Sequence, residues 1–130
     1  MRTILRTAFV SFSLFAIAAV APAHMPAAAF LKNADALRAR GPLALLSPEL
    51  KHLQSQAEGA GDELHKEHAA ALSAGRSSDY CSPISKYLTP RELITGLHAI
   101  PQQELERMDI KQAMHAIFER NYPCQKTASR

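Results

Sequence analysis

The 130-residue chain predicts a small all-α domain of four or five helices closed by one disulfide. Three observations point there. Apolar residues recur at i, i+3, i+4 and i+7, and no alternating β-branched run suggests a strand. Helix-start signals stand at Ser47-Pro48, Thr89-Pro90 and Asp109. The two cysteines, Cys81 and Cys124, follow an export-type leader, and an exported small domain with a cysteine pair reads most simply as disulfide-closed.

The leader comes first. Arg2 and Arg6 precede an apolar run from Ala8 to Val20 broken only by Ser11 and Ser13, and Ala21-Pro22-Ala23 supplies a small-x-small cleavage pattern. Residues 1–23 therefore read as a secretory signal peptide. A membrane anchor needs about 20 apolar residues, more than this run supplies. The two arginines are not adjacent, as the twin-arginine route requires, and no cysteine near the cleavage point offers a lipid site. The expected product is a periplasmic domain, residues 24–130, free of the membrane once the signal is removed, with 125–130 a frayed tail. Without Arg2 and Arg6, 13 of the 15 basic residues remain against 12 acids, so the net charge falls from +3 to +1. These charges are scattered, whereas a nucleic-acid partner calls for a concentrated basic patch, so none is expected.

Ala27–Arg40 is the first candidate helix. Phe30, Leu31, Ala34 and Leu37 share one face, and Gly41-Pro42 supplies a C-terminal glycine and a breaker. Ser47 as N-cap, Pro48 at the first helical position and Glu49 in the first turn start the second. Leu50, Leu53, Ala57, Ala60 and Leu64 then form a narrow 3-4-3-4 seam, suited to a helix-pair contact. Gly59 and Gly61 lie off that seam and each costs about 1 kcal/mol relative to alanine, so residues 48–74 form either one helix with a soft middle or two shorter ones. Gly75 ends the segment. Thr89-Pro90-Arg91-Glu92 is a complete capping box, and Leu93, Ile94, Leu97 and Ile100 give the buried face of the helix it opens. Pro101 interrupts, and one further turn covers Gln102–Arg107. Asp109 with Gln112 is a second box, after which Ile110, Ala113, Met114, Ile117 and Phe118 match the amphipathic template without a miss. Pro123 ends this helix, and Cys124 returns the chain to Cys81. Closing that loop of roughly 44 residues stabilises by about 4 kcal/mol in the chain-entropy description, a large share of a small domain's net stability of about 5–15 kcal/mol.

Candidate chemistry is sparse. His65 and His68, at i and i+3 with Asp62 near, offer metal-ligand spacing. The order is not His-Glu-x-x-His, however, and structural zinc needs four ligands while the cysteines serve the disulfide. No metal and no cofactor is expected, and His68, continuing the seam, reads as a partly buried helix residue. His98 and His115 sit on different helices beside apolar faces and read as packing or rim residues. Neither a serine-nucleophile elbow nor a phosphate loop is present, so no catalytic residue is assigned and the chain reads as a non-enzymatic binding protein. Glu58, Asp62, Glu63 and Glu67 read as one solvated acidic face of the second helix.

Cys81-Ser82-Pro83, then Leu88-Thr89-Pro90-Arg91-Glu92-Leu93, then a last helix closing in Tyr122-Pro123-Cys124, resembles the C-terminal part of the Rap/Tai family of periplasmic type VI secretion immunity proteins. The similarity covers residues 80–124. It implies a small helical fold that binds and sterically blocks a peptidoglycan amidase toxin. Residues 24–79 lack the family's upstream Tyr-x-x-Gly segment and further cysteine. Only Cys81 and Cys124 map onto it, and no partner-binding residue carries over. The alternative is a periplasmic helical interaction protein with another partner, sharing only the fold and self-associating as a homodimer through the Leu50–Leu64 seam.

Overall fold

The structure is a computed structural model that describes residues 24–125; residues 1–23, expected as a signal peptide, and the tail from 126 lie outside the described residues. Five α-helices and one 3₁₀ segment make up the fold, and no strand occurs among the described residues.

Helix α1 runs Ala27–Ala39 and buries Phe30, Leu31, Ala34 and Leu37, the face that the spacing predicts. Arg40 caps it, and Gly41 follows at φ 65°, the left-handed conformation that an L side chain resists. The α-helix ends before Gly41-Pro42, as expected, but the chain then continues into a second helical segment. Gly41–Leu46 tightens into a 3₁₀ segment, in which proline's missing N–H falls in the first turn, where no intrahelical partner is required. Its side chains are largely unpacked: Leu43, Leu45 and Leu46 are 78%, 71% and 86% exposed, and only Ala44 is buried.

Helix α2 is one continuous helix, Pro48–Ser73. Ser47 Oγ accepts the Leu50 N–H at 3.3 Å, as an N-cap does. The glycines do not break it, because packing overrides propensity. Gly61, expected off the seam, is buried, and a Cβ built there would meet Met114 Cε at 3.5 Å and Tyr87 Cδ1 at 3.8 Å. The helix ends in a Schellman pair: Arg76 N–H donates to Ala71 O at 2.9 Å and Gly75 N–H to Leu72 O at 3.1 Å. Gly75, like Gly41, has φ 65°.

Helices α3 (Pro90–His98) and α5 (Ile110–Asn121) each carry the reciprocal box read from the sequence. Thr89 N–H donates to Glu92 Oε2 at 2.8 Å while Glu92 N–H donates to Thr89 Oγ1 at 3.2 Å. Asp109 and Gln112 repeat the exchange at 2.9 and 2.8 Å. The single turn α4 (Gln102–Leu105) follows Pro101 and drives Leu105 into the core. The chain start is tied to α5: Ala27 N–H donates to Met108 O at 3.0 Å and Ile110 N–H to Met25 O at 2.9 Å, so two helix-start donors are satisfied reciprocally.

Helix α5 is the centre of the packing, resting on α2 and α3 while α1 lies across both. Leu97, Leu105, Ile110 and Ile117 are the largest fully buried side chains, each worth about 2 kcal/mol of burial. Of the Leu50–Leu64 seam, Leu53, Ala60 and Leu64 are buried, at 5%, 0% and 2% exposure, while Leu50 and Ala57 are only partly buried.

Candidate binding surface

The Cys81–Cys124 disulfide is formed, with Cα atoms 4.8 Å apart. It anchors the start of a loop, residues 81–88, that leads into α3. Cys81 N–H also donates to Tyr122 O at 2.8 Å, so the anchor is both covalent and hydrogen-bonded. Within the loop Lys86 N–H donates to Pro83 O at 2.9 Å, closing a turn. Lys86 Nζ then donates to both oxygens of Glu92 at 3.1 Å and lies 5.9 Å from the Tyr122 ring centroid. The Thr89 backbone N–H, followed by Lys86, holds the Glu92 carboxyl below its ordinary range, and Glu92 in turn raises Lys86. Leu88 packs against the core and Thr89 begins α3, which fixes the far end. Ile84 stands at the tip of this braced loop, 52% exposed, with Tyr87 47% exposed beside it.

Behind the loop runs an aromatic stack. Tyr80 lies between His68 and Phe118, at centroid distances of 4.6 and 5.0 Å, and meets the edge of His115 at 5.5 Å. Burial first, then the charges of Glu67 and Asp79, push the Tyr80 hydroxyl above its ordinary value. His68 is buried as the seam implied, and both ring nitrogens are engaged. Nε2 donates to Ser82 O at 3.1 Å and Nδ1 faces Ser78 Oγ at 2.8 Å. His65 stacks on Tyr87 at 5.0 Å. The two histidines thus brace the loop instead of converging on a common ligand.

The acidic residues of α2 do not form one solvated face. Glu63 and Glu67 pair with Lys111 of α5, and Glu63 also meets His24 Nε2 at 3.0 Å. The His24 and Lys111 hydrogen bonds hold the Glu63 carboxyl down, and Glu67, followed by Glu63, raises Lys111. His98 is an exposed rim residue paired with Asp35 at 3.1 Å. His115 is half-buried between two carboxylates, a grouping that spacing along the chain does not suggest. Asp79 lies 3.4 Å from Nε2 and Glu119 3.9 Å from Nδ1. The three side chains each offer a ligand atom within 4.8 Å of the other two, with the carboxylates facing opposite ring nitrogens.

The remaining acids, Glu58 and Asp62, line an open groove of about 1210 Å³. It exists because α2 and α3 scarcely touch, leaving α1 and α5 as the floor between them. Leu50, Leu53 and Ala57 face it from α2, Ile94 from α3, and Phe30 and Met114 from below. Arg38 and Arg91 stand on the α1 and α3 side, and Leu45 closes one end. Leu50, Leu53 and Ala57 of the predicted α2 seam make one wall of this groove, whereas no single helix's periodicity shows the opposite wall.

No helix among the described residues is long and apolar enough to cross a membrane. Set against protein-family models, curated proteins and solved structures, the chain matches none.

Proposed function

We propose that this is an exported, periplasmic, non-enzymatic protein of the immunity type, which binds a peptidoglycan amidase toxin and blocks it by steric occlusion. The observation that carries the reading is the braced loop 81–88 with Ile84 exposed at its tip. An inhibitor gains affinity by presenting an apolar anchor whose conformation is already paid for before binding. The disulfide, the Lys86–Glu92 pair and the His68 and His65 contacts supply that order at Ile84. The resemblance of residues 80–124 to the Rap/Tai family supports the same reading, and the loop lies inside that stretch. Blockade needs no catalytic group: Ile84 and Tyr87 enter the hydrolase groove and exclude the cell-wall peptide.

The experiment is affinity capture on the immobilised, oxidised protein from lysate and secreted fractions of the source cells, followed by a hydrolysis assay. Recovery of one cell-wall amidase, inhibited at a 1:1 ratio, supports the reading. If the captured proteins include no hydrolase, or one that keeps full activity when bound, the protein serves another partner.

A further inference from the structure

We infer that the groove between α2 and α3 is a docking site for an amphipathic helix of a partner protein, with a basic flank toward α2 and an acidic flank toward α1 and α3. The groove adjoins the braced loop at Tyr87 and Leu88, but Ile84 does not line it, and the inference stands whether or not that loop blocks an amidase. Shape is the first ground. A concave apolar trough walled by two helices accepts a convex helix laid along it, and the α2 wall from Leu50 to Gly61 spans roughly 17 Å, about three helical turns. Two grooves placed face to face would enclose a void, so a second copy of this chain fills the space poorly.

Charge is the second ground. Glu58 and Asp62 stand on the α2 wall, Arg38 and Arg91 on the opposite side, and none of the four forms an ion pair with a described residue. The groove therefore offers opposite signs along its two edges, which a helix with one basic and one acidic flank satisfies. The chain's own apolar segment from Ala8 to Val20 carries no charged residue to meet either edge. The described chain also begins elsewhere. Met25 N–H donates to Gln56 Oε1 at 3.1 Å and His24 meets Glu63, and both of these α2 residues face away from Gln54 and Glu58 on the helix.

The test uses the oxidised full chain and fluorescein-labelled 14-residue helical peptides with leucines at i, i+3, i+4 and i+7. One peptide has a lysine flank and a glutamate flank, one has both flanks glutamate, and one has both lysine. Fluorescence anisotropy is expected to show the mixed-flank peptide binding about threefold or more tighter than either single-sign peptide. E58K/D62K makes both walls basic and is expected to move the preference to the all-glutamate peptide. Leu45→Asp, at an exposed position, is expected to weaken every peptide by about tenfold. Matched melting curves show that the variants remain folded. Absence of binding both by the full chain and by the chain from His24, or a peptide preference unmoved by E58K/D62K, overturns the inference. Reversible dimerisation that competes with peptide overturns it in favour of a second copy. Binding by the chain from His24 but not by the full chain supports the inference for the exported form, with residues 8–20 competing only before their removal.

Discussion

Single residues decide how closely these helices approach. At Gly96 a Cβ would stand 2.6 Å from Cδ1 and Cγ1 of Ile117, which is 1% exposed and has no space to move into. Gly96→Ala should therefore destabilise the protein by about 1–3 kcal/mol despite alanine's better helix propensity. A Cβ at Gly59 meets nothing within 4 Å, so Gly59→Ala should stabilise by about 0.5–1 kcal/mol. Chemical denaturation of the two variants checks both signs, and two shifts in the same direction would contradict the α3–α5 contact. The ion pairs act at the same scale. Glu63 and Glu92 are held below their ordinary value of 4.5 in the folded state, so their stabilising contribution is complete above that value and disappears as pH falls through the folded values. Lys86 and Lys111 are raised above 10.5, so their share is present below that pH and is lost as pH rises past it. Melting temperature should fall on acidification below about 4.5, and less steeply in Glu63→Gln. A parallel fall in the variant would remove Glu63 from the account.

At the scale of the element, caps and apolar period agree most closely with the folded helices. Thr89, Glu92, Asp109 and Gln112 exchange the hydrogen bonds their spacing implies, and all five template residues of α5 are buried. Thr89→Ala should cost roughly 1 kcal/mol, measured by thermal or urea unfolding; no loss would mean that Pro90 alone starts the helix. Local rules fall short where a neighbour decides. Helix α2 runs unbroken through Gly61, which is buried beside Met114 and Tyr87, a setting that no propensity at Gly61 reveals. The 3₁₀ segment at Gly41–Leu46 was hidden because Gly-Pro reads as a stop, and its three leucines face outward. Likewise Glu58 and Asp62 separate from Glu63 and Glu67 only once α5 supplies Lys111 to the second pair.

For the whole molecule, the disulfide joins the loop before α3 to the end of α5 and so encloses α3, α4 and α5, across a sequence separation of 43. Cys81→Ser should lower stability by about 4 kcal/mol, less if the reduced chain keeps residual structure; an unchanged melting temperature would mean that the staple constrains nothing. The pairing was legible from the cysteine count and the expected export leader, but the surface it serves was not. Ile84 shows no pattern in sequence that marks it as exposed, and the groove arises only from how far α2 stands from α3. Blocking by the braced tip, as proposed, is tested by titrating a hydrolase captured on the protein with the wild type and with Ile84→Asp, matched for melting temperature. Loss of inhibition by about tenfold or more in the variant is the predicted result, as for an interface anchor. Equal inhibition by both proteins would contradict the claim and move the contact to another face.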